Sequence, residues 1–154
     1  MNFKLRPTNN SDCELLWIWR NEINDKQHSF NSNPISYENH IIWFNTNINN
    51  PNKVFYIMEL EQLPVGQIRI DINEFCEGEV HITVDNQYRN MGLASKALFM
   101  LEESIKKLGV NFLIAHIKPT NINSVILFIK SGFIFSQLIY FKGFMCYELK
   151  KEIV

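Results

Sequence analysis

No run of 18 apolar residues occurs in this 154-residue chain, and its opening MNFKLRPTNN holds no apolar stretch of the kind that leads a secreted protein. Cysteine is scarce: Cys13, Cys76 and Cys146 are scattered and form no C-x-x-C pair. That argues against a disulfide frame and against a metal site, and the three are expected to stay reduced in the cytoplasm. Net charge is only −1, without a block of like charges, so the electrostatic footprint of a nucleic-acid or membrane-surface protein is missing. Linkers, repeats and low-complexity segments are missing too. What is present is ordinary for a globular protein, 46 % apolar and 20 % charged residues. A chain of this length is expected to form one domain, residues 1–154, burying about two-thirds of its unfolded surface without help from a metal or crosslink.

Periodicity and turn chemistry predict the order β-α-α-β-β-β-α-β-α-β-β. Phe3–Arg6 alternates and stops at Pro7, a short strand. Ser11 and Glu14 have capping-box spacing and open a helix to about Asn24. Leu15, Leu16, Trp17, Ile18 and Trp19 crowd more than one of its faces, so part of it should face a cleft or a partner. Ser36 caps a second helix, about 36–48. Val54–Leu60 and the alternating Val65, Gln67, Arg69 and Asp71 make a hairpin around Glu61–Leu63. Glu79–Val84 is the fourth strand. Met91–Leu108 is the best helix, with Leu93, Ala97, Leu101, Ile105 and Leu108 in one apolar stripe ended by Gly109. Phe112–Ile117 is a strand, Asn121–Ser131 a helix, and Phe133–Phe141 and Phe144–Leu149 two strands around Lys142-Gly143. The fold class is α+β, a mixed, mostly antiparallel central sheet of about seven strands flanked by four helices.

The junction between the fourth strand and the long helix carries the chemistry. It reads Val84-Asp85-Asn86-Gln87-Tyr88-Arg89-Asn90-Met91-Gly92-Leu93-Ala94, then Ser95. A strand–loop–helix junction directs several backbone N–H groups at one spot by a helix N-terminus, which suits a pyrophosphate. Gly92, having no Cβ, lets an oxygen approach closely. The spacing is neither that of the G-K-[ST] phosphate loop nor the dinucleotide fingerprint.

YRNMGLA, followed further on by the N-x-x-S-V-x-L-F-x-K-x-G-F of residues 121–133, resembles motifs A and B of the GNAT acetyltransferase superfamily. The resemblance covers residues 80–133 closely, and the element order is that of the family. It implies acetyl-CoA between two splayed parallel strands. The backbone of Ile82, Thr83 and Val84 would pair with the pantetheine arm and offer an N–H to the thioester oxygen. Arg89, Asn90, Met91, Gly92, Leu93, Ala94 and Ser95 would hold the pyrophosphate, and Asn121, Ser124 and Phe128 would border the arm. Gly92 also reads as a loop requirement and Asn121 as a helix cap. Many relatives have a Tyr at the position of Phe128 to protonate the departing thiolate. A thiol of pKa ~8.5 leaves tolerably without it, and Tyr140 or Tyr88 could substitute, though each also has a packing reading.

Three residues are candidate bases. His116 stands where several relatives have Glu, and Glu79 and His81 share one side of the fourth strand with Thr83 by the two-residue period. A histidine suits the task because its ordinary pKa is about 6.5. Each also reads as a solvent-facing polar residue of a half-exposed sheet. No cysteine lies in either motif, so direct attack in a ternary complex is expected, without a covalent acetyl-enzyme.

The first half of the chain bears on the acceptor. It is similar to two branches of the family, one acetylating nucleotide-linked amino sugars of the pseudaminic or legionaminic acid type, the other the N-termini of ribosomal proteins or aminoglycosides. The N-S-x-P-I-S-x-E-x-H-x-x-W-F stretch favours the first. Trp17, Arg20, Asn21, Phe30, Asn31, His40 and Trp43 offer the aromatic faces and hydrogen-bonders of a sugar pocket, although Trp17, Trp19 and Trp43 also read as helix packing. His28 and His40 lie in the same segment. A non-catalytic acyl-CoA-binding module stays open because of Phe128, and the strands after Phe133 could pair between subunits of a homodimer, as in many relatives.

Overall fold

The computed structural model describes residues 1–22, 30, 31 and 33–154. Strands are β1 (Phe3–Pro7), β2 (Lys53–Leu60), β3 (Leu63–Ile72), β4 (Glu77–Val84), β5 (Phe112–Ile117), β6 (Ile134–Phe141) and β7 (Phe144–Glu152). Helices are α1 (Cys13–Asn21), α2 (Tyr37–Asn47), α3 (Leu93–Lys107) and α4 (Ile122–Lys130), with short 3₁₀ turns at Asn10–Asp12 and Asn86–Tyr88. The seven strands form one sheet in the order β1-β2-β3-β4-β5-β7-β6. Every pair is antiparallel except β4–β5. This is the mostly antiparallel α+β fold expected.

Turn chemistry sets the registers. Glu61 and Gln62 both take positive φ between β2 and β3, as do Lys142 and Gly143 between β6 and β7, the signature of two-residue hairpin turns whose twist matches the strands. The two-residue period then gives the sheet two unlike faces. One packs Met58, Ile68, Ile70, Val80, Leu113 and Leu149 against Leu93, Ala97, Leu98, Leu101 and Ile105 of α3 and Phe128 of α4. The other receives Leu16 and Trp19 of α1 and Phe44 of α2 over Ile57.

Both long-motif helices end alike. Past α3, Gly109 takes φ 77°, its N–H donates to the Lys106 carbonyl at 3.0 Å, and Val110 N–H reaches Ile105 O at 3.3 Å. Past α4, Gly132 takes φ 91°, donating to Ile129 O at 3.1 Å, and Phe133 N–H reaches Phe128 O at 3.0 Å. In each the residue after glycine returns onto the helix and packs there, Phe133 edge-on to Phe128 at 4.9 Å. The K-x-G-F of the second motif is therefore, in part, a helix stop.

Three local expectations change. The first helix is not opened by Ser11 and Glu14. Asn9 and Asp12 form the reciprocal capping box instead, ahead of the 3₁₀ turn. Leu108 is exposed, because the glycine stop turns the chain there and Val110 fills the core position. β7 runs three residues beyond Leu149, held by pairing with β5. The expected helix end at Asn24 lies outside the described residues.

Candidate functional site

Parallel pairing of β4 and β5 covers only Glu77–Phe112, Gly78–Leu113 and Glu79–Ile114. On its other edge β4 stays paired to β3 through Val84. Beyond Glu79, therefore, the β5-side edge of β4 has no strand partner among the described residues, and a cleft of about 560 Å³ opens between the strands. Val80–Val84 and Ala115–Ile117 form its walls. Preoriented backbone groups along such an edge can pair with an extended ligand, and one N–H there can face a developing oxyanion.

The cleft continues to the start of α3. Gly92 is its N-cap, at φ 74°, with no side chain capping the helix and no acidic residue in its first turn. A Cβ at Gly92 would meet no protein atom within 4 Å. Packing thus does not require glycine there, but the left-handed backbone does, as does close approach from the open side. Leu93, Ala94 and Ser95 of the first turn line the cleft, so the positive helix end faces it with no acidic side chain in its own first turn. Arg89 donates from Nε to Val84 O at 3.3 Å and lines the cleft with Asn90. Opposite, Asn121 caps α4 by accepting from Ser124 N–H at 3.3 Å, and Phe128 is buried at the cleft wall. Of the residues expected at the donor side, only Met91 stands outside, exposed.

The face turned toward α1 and α2 carries a chain of ionisable groups in register across five strands. Arg69 of β3 faces His81 of β4, Asp71 faces Glu79, and His116 of β5 faces Glu148 of β7. Arg69 grips Asp71 with Nε–Oδ1 2.9 Å and Nη2–Oδ2 3.1 Å, and Lys53 adds a contact of 3.3 Å. Burial pushes the Asp71 carboxyl up, but His81 and Arg69 outweigh it and hold it far below the carboxylate range. His81 Nε2 lies 3.2 Å from Asp71 Oδ2 and 3.7 Å from Glu79 Oε1, neither aligned as a hydrogen bond. Burial, helped by the Arg69 charge, lowers the His81 pKa despite the two carboxylates, so this imidazole is neutral near pH 7.

His116 is the reverse case. Its Nδ1 lies 3.4 Å from Glu79 Oε1 and its Nε2 3.1 Å from Glu148 Oε2, while the ring stacks on Phe141 at 4.0 Å. Gln137 donates to the other Glu148 oxygen at 3.1 Å. Burial lowers the His116 pKa, but Glu79 and Glu148 overcome it and the net shift is upward. Burial raises the Glu79 carboxyl, yet its hydrogen bond with His116 and the charges around it bring it below its ordinary value. Both histidines line the cleft, and Glu79 stands behind them.

Of the residues expected at the acceptor side, Arg20 and Phe30 line the cleft. The Asn31 carbonyl accepts from Arg20 Nη2 at 2.5 Å. Trp17, Asn21, His40 and Trp43 lie elsewhere, for packing reasons. Trp17 Nε1 donates to Ile35 O at 2.7 Å, and Asn21 brackets the same residue, accepting from its N–H at 3.0 Å and donating to its carbonyl at 3.1 Å. His40 is buried with Nε2 2.8 Å from Cys13 O, and Trp43 lies under the Arg69 guanidinium at 5.2 Å. Tyr88 lines the cleft, whereas Tyr140 is exposed on the edge strand. His28 lies outside the described residues. Sequence reasoning did not assign Trp19, Gln67 and Arg69, which also line the cleft, or Asp71 and Glu148 behind it. The period-2 run Gln67, Arg69, Asp71 was the available signal for three of these. Glu148 had none, since its partner is brought by long-range pairing.

Among the described residues no group of three or more His, Cys, Asp or Glu is placed to hold a metal, and no helix is long and apolar enough to cross a membrane. No curated protein matches the chain. Solved structures do. Spermidine N-acetyltransferase from Vibrio cholerae, in complex with CoA and spermine, superposes with TM-score 0.87 at 16 % identity over 98 % of this chain and 95 % of that one. An N-acetyltransferase from Staphylococcus aureus Mu50 gives 0.84 at 20 % identity over 100 % of both chains. A Salmonella typhimurium protein described as an acetyltransferase, with its cofactor acetyl-CoA, gives 0.83 at 16 % identity over 100 % and 95 %. At these identities the likeness is one of fold. The sequence model of the acetyltransferase (GNAT) family matches residues 16–133, most of the chain, and the protein belongs to that family.

Proposed function

We propose that the protein moves the acetyl group of acetyl-CoA to a primary amine by direct attack in the cleft, and that the amine belongs to a nucleotide-linked amino sugar. The observation that carries the reading is the separation of β4 from β5 beyond Glu79, ending at an uncapped α3 N-terminus. The fit to the donor is local. The open space at Gly92 and the first-turn backbone of α3 suit a pyrophosphate, and the unpaired edge of β4 suits the amide-bearing pantetheine arm. Acetyl-CoA supplies an activated thioester there, and the side chains do the rest.

His81 is the base in this reading. It lines the cleft and is neutral near pH 7, so it can accept the ammonium proton before attack. His116 is a poorer base in its resting state, because both ring nitrogens are directed at carboxylates. Glu79 and Glu148 act through it, fixing the ring and its charge beside the acceptor. Of the two candidate tyrosines only Tyr88 lines the cleft, and in this reading it would protonate the thiolate, which can also leave unaided.

Phe30 gives the acceptor side an apolar face, and Gln67 and Arg69 give it hydrogen-bond donors, the mixture a sugar needs. A polyamine would need unpaired negative surface. Here Lys53, Arg69 and His116 stand against Asp71, Glu79 and Glu148, so with His116 protonated this face presents no surplus of negative charge. The test is CoA release from acetyl-CoA with a UDP-4-amino-4,6-dideoxyhexose, with a ribosomal-protein N-terminal peptide, and with neither. Release with the sugar alone is expected. Release with the peptide alone overturns the acceptor, and acetyl-CoA binding without release for any amine in a broad panel returns the protein to a binding module.

A further inference from the structure

Resting on the amino-sugar reading, we propose that Arg20 is the anion anchor of the acceptor site and holds a phosphate of the nucleotide-linked acceptor. Arg20 sits in the last turn of α1, half-buried, and lines the cleft. Its described hydrogen bond runs from Nη2 to the Asn31 carbonyl at 2.5 Å, and no salt bridge to it occurs among the described residues. Other arginines of the molecule are matched: Arg6 by Asp12 and Glu59, Arg69 by Asp71. A guanidinium has five N–H donors in a planar fork, and a carbonyl takes one of them. Burial lowers the Arg20 pKa, and no carboxylate among the described residues opposes it. A partly desolvated cation that lines an open cleft, with one described hydrogen bond and no described salt bridge, is completed best by an oxyanion from outside, gripped at two oxygens.

Position decides which anion. The CoA pyrophosphate belongs at the α3 N-terminus, beside Gly92 and Arg89, whereas Arg20 stands on the α1 side with Phe30. Phe30 meets Phe141 edge-on at 5.2 Å, and Phe141 stacks on His116 at 4.0 Å. A chain of ring contacts thus runs from His116 through Phe141 to Phe30, which lines the cleft with Arg20. A sugar ring lying over Phe30 would present its amine to His81 and its phosphate to Arg20.

Calorimetry with UDP as probe tests this, on enzyme saturated with CoA so that the donor phosphate site is filled. Wild type is expected to bind UDP. Arg20→Gln is expected to weaken it at least about tenfold, since a charge-assisted bidentate contact is lost, and Arg20→Lys to fall between, keeping charge without the fork. Acetyl-CoA affinity should be the same in all three proteins. The proposal is overturned if wild type does not bind UDP, if Arg20→Gln binds it equally, or if Arg20→Gln weakens acetyl-CoA, which would place Arg20 at the donor site. Wild-type preference for succinate over UDP overturns the phosphate assignment in favour of a carboxylate. Arg20-dependent UDP binding with no turnover of any UDP amino sugar overturns the sugar reading and leaves the anchor standing.

Discussion

His116 of β5 and Glu148 of β7 are directly opposed across one antiparallel pair, and imidazole Nε2 stands 3.1 Å from a carboxylate oxygen of the buried Glu148. With Glu79 on the other ring nitrogen, two carboxylates favour the protonated form of this ring at the cleft wall. The raised His116 pKa gives the sign of its pH dependence. Its contribution to stability is fully present below the unfolded value of about 6.5 and is lost as pH rises through the higher folded value.

Glu148→Gln should therefore lower the His116 titration midpoint, read by NMR from the imidazole Cε1 proton, because one of the two stabilising carboxylates becomes neutral. The stability advantage of wild type over the variant should shrink from pH 6 toward pH 9 in urea unfolding. A midpoint unchanged by the substitution would show that Glu148 and the ring do not share the proton.

His81→Ala should lower kcat/KM by about a hundredfold or more at pH 7, the usual worth of a positioned base. At pH 9 the loss should be smaller, since more of the acceptor amine is already free. His116→Ala should follow the same direction with a smaller loss at pH 7. Equal losses at both pH values would argue that neither imidazole handles the ammonium proton.

Gly66 explains how closely β3 and β4 approach beside the site. A Cβ there would lie 2.5 Å from the Thr83 carbonyl oxygen and 3.1 Å from Val84 Cα, both backbone. Gly66→Ala should cost about 1–3 kcal/mol of stability, as overpacking does, and displace the β4 edge that borders the cleft. Chemical denaturation measures it, and a neutral substitution would mean the strands shift freely.

The donor side of the site was legible in the sequence because local chain geometry builds it. Gly92 needs its left-handed backbone, Asn121 caps its own helix, and Gly132-Phe133 stops it, all within a few residues. Alternation on β4 likewise put Glu79, His81 and Thr83 on one face. The acceptor side was read less well because helix packing and long-range pairing decide it. Trp17, Asn21 and His40 have the residue types of a sugar pocket, yet the Ile35 backbone and the Cys13 carbonyl occupy their polar atoms. Trp19 looked like packing alone and is nearly fully buried, but its Nε1 also donates to Asp85 at 3.0 Å, tying α1 to the loop before α3. Glu148 becomes part of the site only when β7 inserts beside β5.

The most direct test of the account is calorimetric titration of acetyl-CoA into wild type and Gly92→Glu. The substitution meets no protein atom at Cβ, so beyond the strain of a left-handed L-residue, about 1–2 kcal/mol, the fold should persist and circular dichroism should be unchanged. The account predicts one acetyl-CoA per wild-type chain and none measurable in the variant, whose carboxylate would stand where the pyrophosphate belongs. Equal binding by both proteins, or no binding by wild type, would contradict it.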